Sequence, residues 1–497
     1  MPNESGPESL PESLGISAHP RKILLAACGT RGDVQPFLAL AVALRRHGHH
    51  PLLAAPSSYA SDASVYGVDF AAIDDGPTRI LGETATRRVI DNGLMGVRGK
   101  IDAARTVARL KQLLIAPLRD VAAIAHDHGD VAAVVHSAAF PAQHVADMLD
   151  VPAVVVALQP GWIPTDAFPC PLMPLPRVPR FLNRGTYALV VAAQRSREVE
   201  RWRTTELGLA PRRHGARRWL RDPEGRRRAV LQSFSRHVTP VDPTWGDAVR
   251  TTGFWYLPAR PDWAPPPELT RFLDEGPPPV YIGFGSMTGT QGRRNNALIA
   301  EAVRLTGVRA VIATGWGGID APEGQPTRPA SSTTSTCSTT STSPPSNILA
   351  IEQAPHDWLF PRTAAIVHHG GPGTVGAALA AGRPQVLCPH MGDQTHWSAR
   401  MRALGVAPTP LAARTLTARG LAEAITAAVT DRHLRQRAEE IAPVVRAEDG
   451  VDTAVNSLLA HITSSARHLR LPPTSHEQKA PECCKSRSPK PPSNQGP

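Results

Sequence analysis

From residue 21 onward, short unbroken apolar runs alternate with helical stretches. The runs at 21–28, 51–55, 130–136, 151–158 and 229–233 have strand length without polar alternation, which predicts strands buried on both faces of a parallel sheet. A helix over 37–46, closed by His47-Gly48-His49, separates the first two; residues 70–129 read as helical with loops, and another helix runs from Ser137 to Leu149. The pattern then breaks at 240–267, rich in Pro and Trp, and starts again. A helix over 268–275 leads to strands at 280–284, 310–313, 347–351, 364–368 and 385–388, with helices over 296–306, 418–429, 431–442 and 451–462. Such alternation predicts an α/β protein of two Rossmann-like domains, 21–239 and 268–463, joined by a hinge at 240–267.

Composition adjusts the edges of this picture. A chain of 497 residues exceeds what one core supports, and 41% apolar with only 5% aromatic residues suits small-residue helices on parallel sheets. Residues 1–20, 464–497 and the Ser/Thr run within 319–347 cannot build a core and are expected to be disordered. The six cysteines show no metal-ligand spacing and no framework, and neither a membrane span nor a signal peptide is evident, so a reducing, cytoplasmic setting is expected. The formal charge of +11 comes largely from 195–228, where twelve arginines face five acids. That segment reads first as a solvated helical face, with peripheral contact to an anionic membrane or a docking patch as alternatives. Nucleic acid is disfavoured, because no aromatic residues are spaced along it for base stacking, and no obligate protein partner is evident.

Candidate chemistry concentrates at 364–397. A buried strand ends in His368-His369, followed by a turn with Gly370, Gly371 and Gly373, and then a helix from near Thr374 that stops at Gly382. A turn almost without side chains at a helix start lets an anion approach unpaired amides backed by the helix dipole, so it suits a phosphate. After the next strand a polar loop carries Asp393 and Gln394 to the same sheet edge, which provides a carboxylate and an amide one loop from the phosphate site. A nucleotide sugar has that shape. Gly285-Ser286-Met287, after another strand, offers amides and a hydroxyl to a second phosphate. In the first half, G-T-R-G-D-V-Q-P places Asp33 at a strand end, where it either caps the helix beginning at 34–36 or faces the cleft; one carboxylate can do both. That loop has only two glycines of a dinucleotide fingerprint, so a nicotinamide site is poorly supported. The proline-rich apolar loop 159–176 could wall a greasy pocket.

These motifs carry a resemblance. H-H-G-G-P-G-T followed by G-D-Q-x-x-W, preceded by P-H-D-W-L-F, resembles the donor-binding signature of family 1 glycosyltransferases, in the branch holding sterol glucosyltransferases and bacterial enzymes that glycosylate antibiotic aglycones; G-T-R-G-D-V-Q-P resembles the first loop of the same branch. The resemblance implies the GT-B fold, with the acceptor held by the first half, the donor by the second, and the last helix packing back on the first. It implies Asp33 as the base and His369 as the phosphate histidine, with Gly371, Gly373 and Thr374 around the diphosphate and Ser286 opposite. Gln353 and His356 fall by position at the nucleotide base, and Asp393 and Gln394 at the sugar hydroxyls. His368 reads as a core histidine and Trp397 as packing.

Without a D-x-D pair to hold a divalent metal, the expected reaction is a metal-independent, inverting transfer of a hexose. The donor expected is UDP-glucose, with dTDP-deoxysugars as the alternative; the acceptor is a lipophilic aglycone such as a sterol or polyketide, and no cofactor is expected. Two other readings stay open: a sugar-nucleotide epimerase on the same fold, and a catalytically silent partner of another transferase.

Overall fold

The computed structural model describes residues 19–80, 96–172, 178–193, 196–212, 220–284, 292–314, 347–390 and 392–470. Two wholly parallel sheets organise them. The first has seven strands: β1 Lys22–Ala26, β2 His50–Pro56, β3 Asp69–Ile73, β4 Val131–Ser137, β5 Ala153–Ala157, β6 Ala229–Gln232 and β7 Val249–Thr251, in the order β3-β2-β1-β4-β5-β6-β7. The second has β8 Val280–Gly283, β9 Ala310–Ala313, β10 Ile348–Ile351, β11 Ala365–His368 and β12 Gln385–Leu387, in the order β10-β9-β8-β11-β12. Every pairing is parallel, in keeping with apolar runs that lack alternation.

Both faces of the first sheet are covered. On one, Leu25, Val135 and Val156 meet Phe37, Leu40 and Leu44 of the helix Arg31–Arg46; on the other, Leu24 and Val134 meet Leu118 and Val121 of the helix Ile115–His128. The last described helix, Gly450–Arg470, brings Val455, Leu458 and Ile462 into the first of these cores, so it packs back on the first half. His47 Nε2 and Arg46 Nη2 fix it through Asp452, at 2.8 and 3.1 Å. That helix runs to Arg470, into the stretch 464–497 expected to be disordered; the Ser/Thr run lies outside the described residues.

The structure departs from the sequence reading in four further places. β3 lies inside the stretch read as helix and loop, because its burial is partial and its apolar run is short. β7 sits in the expected hinge as a three-residue edge strand. The first helix starts at Arg31 rather than Phe37, since Pro36 is tolerated within it despite its missing N–H. The arginine-rich segment is not simply a solvated face. Arg203, Arg212 and Arg228 turn inward and donate to the Asp147 carboxylate at 2.7, 2.9 and 2.5 Å.

Candidate active site

In each sheet the strand order reverses at one point, between β1 and β4 in the first and between β8 and β11 in the second. The crevice beyond the carboxyl ends of the strands at such a point is where open α/β sheets take ligands. The connection after β1 ends at Thr30 and opens the helix that carries Arg31 and Asp33, and the loop after β11 carries His369 to Gly371. The two edges face each other across one cleft. Arg31 Nη1 donates to Gln353 Oε1 at 3.2 Å, the Phe168 ring lies 4.9 Å from that of His396, and the charge of Asp33 helps raise the pKa of Asp393.

Asp33 stands in the first turn of the helix Arg31–Arg46, not ahead of it. Its Oδ2 accepts the Thr30 N–H at 2.8 Å and the Thr30 hydroxyl at 3.0 Å. The bend before it depends on Gly29, at φ 141°, where a Cβ would lie 2.4 Å from Asp33 Oδ2. Burial raises the Asp33 pKa, against the lowering effect of the two Thr30 bonds. One oxygen is therefore fixed by the backbone, and the carboxyl keeps its proton more readily than an exposed aspartate, as a group accepting a proton near neutral pH requires.

Across the cleft, the two histidines have different settings. His368 is fully buried: its Nε2 lies 2.9 Å from Gln385 Oε1, and its Nδ1 accepts the Gly370 N–H at 3.1 Å. Those bonds make it a brace for the glycine turn. Gly370 has φ 92°, and a Cβ there would press on Gln394 O at 3.2 Å, so only glycine lets the turn rest on the next helix. His369 leans over Gly371, where a Cβ would come within 2.6 Å of its Nε2. Its Nδ1 is buried without a hydrogen-bond partner. Burial, reinforced by His368 and His390, holds its pKa down at about 3. Next come Gly373 and Thr374, in the first turn of the helix Pro372–Ala380; a Cβ on Gly373 would meet nothing within 4 Å, so the approach to these amides is open.

Asp393 and Gln394, expected in a loop, open a helix, Gln394–Ala403. Burial lifts the Asp393 pKa to about 6, opposed by the bond its Oδ2 accepts from Trp397 Nε1 at 2.8 Å. Trp397 is fully buried against Phe234 and Phe254, so it packs and also fixes Asp393. Gln394 Oε1 accepts the His390 N–H at 2.8 Å, which folds the strand-to-helix connection back on itself. His356 stacks on Phe360 with ring centroids 4.2 Å apart, so one of its faces is already taken. Gln353 is exposed at the cleft rim. Ser286 lies outside the described residues.

Three residues of this cleft escaped the sequence reading. Arg31 bridges the halves through Gln353, while Phe168 and His396 meet where the proline-rich loop touches the second half. The described part of that loop, up to Leu172, is held by polar and apolar contacts. The buried Asp242 carboxylate accepts from the Thr165 hydroxyl at 2.8 Å and the Asp166 N–H at 3.3 Å, and Trp162, Phe168 and Leu172 pack around Cys170, Tyr187 and Val190. The signal available was the loop's aromatic content, but no local pattern says which ring crosses a cleft. Among the described residues no group of three or more His, Cys, Asp or Glu side chains is placed to hold a metal ion, and no helix is long and apolar enough to cross a membrane.

Two facing parallel-sheet domains with a site between their switch points define the GT-B glycosyltransferase class, and solved structures match in that fold. The calicheamicin glycosyltransferase CalG4 superposes with a TM-score of 0.60 at 19% identity, covering 89% of this chain and 98% of that one. The glycosyltransferase VinC in complex with dTDP does so at 0.58 and 17% identity, covering 90% and 100%. The glycosyltransferase family 28 N-terminal domain matches residues 23–126, and the C-terminal domain of the erythromycin biosynthesis protein CIII-like family matches 334–459. A sterol 3-beta-glucosyltransferase of Arabidopsis thaliana is 31% identical over 465 residues, 92% of this chain and 70% of the relative. The chain belongs to the family 1 glycosyltransferases, in the branch that holds the sterol glucosyltransferases and the antibiotic-aglycone enzymes, and is an enzyme of the UDP-glycosyltransferase class.

Proposed function

We propose that the protein transfers a hexose from a nucleoside diphosphate donor, UDP-glucose in the first instance, to a hydroxyl of a lipophilic acceptor such as a sterol or polyketide, with inversion at the anomeric carbon and without a divalent metal. The observation that supports this reading is the approach of the two halves at Arg31–Gln353 and Phe168–His396, beside the Asp33 turn on one side and Asp393 on the other, with the His369 turn resting on the Asp393 helix. The diphosphate would lie over the open amides of Gly373 and Thr374, with His369 as a neutral imidazole donor. The sugar would then reach Asp393 and Gln394, and the acceptor hydroxyl would lie between the sugar and Asp33.

The steps follow from that arrangement. Asp33 takes the acceptor hydroxyl's proton as the acceptor oxygen bonds the anomeric carbon; the bond to the diphosphate breaks on the opposite face, which inverts the centre. A positioned base contributes about 100-fold to 10,000-fold, and each preorganised donor on the departing diphosphate about 100-fold to 1000-fold. The apolar loop that brings Phe168 to the junction supports a greasy acceptor, and the sterol enzyme among the relatives supports a flat one. The test is incubation with UDP-glucose and a panel of hydroxylated aglycones in the presence of chelator, with products read by mass and anomeric configuration by NMR. Hexosylated product of inverted configuration is expected; free sugar isomerisation without acceptor, or activity abolished by chelator, would overturn the reading.

A further inference from the structure

The geometry points to His396 as a specificity residue that reads a hydroxyl of the transferred sugar, making the donor site selective for a fully hydroxylated hexose over its deoxy analogues. This rests on the transferase reading above and narrows its donor.

His396 lies in the first turn of the helix Gln394–Ala403, one turn beyond Asp393 and on the same side. Its ring is held between two aromatic neighbours, Phe168 at 4.9 Å and Trp397 at 5.5 Å. Trp397 in turn bonds Asp393, so the carboxylate and the imidazole are positioned by one indole. Phe168 belongs to the first half, so His396 stands where the acceptor wall meets the sugar end of the donor site. In that place its Nε2 is buried and has no hydrogen-bond partner. Buried polar atoms without partners are few in native proteins, and one at the junction of the two halves, a helical turn from Asp393, calls for a ligand group.

The chemistry of that group is constrained. Burial, with the charge of Arg400, keeps the imidazole neutral, its pKa pushed down to about 3. A neutral imidazole has one N–H and one lone pair; a hydroxyl can meet either, whereas a phosphate oxygen can meet only the N–H. A sugar hydroxyl within reach of Asp393 satisfies Nε2, and a deoxy sugar leaves it orphaned. Sites built to bond a hydroxyl discriminate strongly against the analogue lacking it.

The experiment titrates the full chain with UDP, UDP-glucose and the four monodeoxy UDP-glucose analogues, using wild type, His396→Phe and His396→Gln. Wild type is expected to bind one analogue at least about tenfold more weakly than UDP-glucose, a modest share of the discrimination such sites reach. His396→Phe should bind UDP-glucose as weakly as that analogue and bind UDP as wild type does, which also reports an intact fold; His396→Gln should restore part of the preference. Wild type binding all the sugars alike, or His396→Phe keeping the wild-type preference, overturns the proposal. So does a His396 effect confined to the KM of an acceptor, which would move the hydroxyl to that substrate. Failure of wild type to bind UDP at all overturns the transferase reading itself.

Discussion

Asp33 and Asp393 come from different halves of the chain, yet the charge of the first contributes to lifting the second's pKa to about 6. Both are drawn above the ordinary carboxylate range chiefly by burial. Two carboxyls raised in one cleft, one fixed by backbone and one by an indole, define where the sugar and the incoming hydroxyl would meet.

Asp33→Asn is expected to lower kcat by at least about 100-fold, the lower range for a positioned base. UDP affinity, set in the other half, should change less than about threefold by the same reasoning. Gly29→Ala should act through Asp33: the added Cβ, 2.4 Å from Oδ2 in the present backbone, must displace the carboxylate. Steady-state kinetics beside UDP titration checks both. A loss for Gly29→Ala equal in UDP affinity and kcat would mean general disruption instead.

Asp393→Asn should cost activity and yield stability. The wild-type group has a folded pKa of about 6 against 3.8 unperturbed. Because that pKa is raised, the contribution to folding is full below the unperturbed value and is lost as pH rises through about 6. At pH ~7.5 the asparagine variant should therefore be more stable by about 1–3 kcal/mol, closing towards zero near pH ~4. Urea unfolding across that window measures it. In turnover, the acid limb of kcat/KM attributable to Asp393 should fall near pH ~6 in wild type and be absent in the variant.

Much of this was readable from sequence because it is local. Most strands of both sheets, β3 and β7 excepted, are largely apolar runs, and the His369-to-Thr374 turn is glycine between a strand and a helix. What the sequence hid depends on distant partners. The inward turn of Arg203 and Arg228 is visible only once Asp147 is placed beside them. The meeting of Phe168 with His396 spans the cleft, and no periodicity encodes it. Asp393 and Gln394 read as a polar turn because the helix they open is short and its buried residues, Trp397, Ser398 and Met401, are mixed with polar ones.

The two histidines should separate by mutation. His369→Ala removes a donor from the leaving group and is expected to lower kcat about 100-fold to 1000-fold. Stability should hold or rise, since the buried Nδ1 has no partner to lose. His368→Ala instead removes a brace bonded to both Gln385 and Gly370, and should destabilise by about 2–4 kcal/mol through the cavity and the groups left unpaired. Thermal unfolding with and without UDP distinguishes a chemical from a structural loss.

Asp147 provides a test away from the cleft. Its side chain is 2% exposed and accepts from three guanidiniums, of which Arg203 and Arg228 are 4% and 3% exposed and Arg212 is 19%. Burial alone would raise its pKa; Arg228 and then Arg212 overcome that and hold it at about 2. With the folded pKa depressed, the carboxylate's stabilisation is present above the unfolded value near 3.8 and is lost as pH falls towards 2. The change amounts to about 2 kcal/mol over that window. Asp147→Ala should cost more, about 3–5 kcal/mol at neutral pH, because it leaves like charges buried together with no counter-ion. Asp147→Asn keeps one acceptor oxygen, turns the other position into an N–H donor and loses the charge; it should fall between wild type and Ala. Pairing Asp147→Ala with Arg212→Met, which removes the most exposed of the three cations, should recover part of the loss; urea midpoints equal for the single and double variants would show that charge is not what the cluster balances.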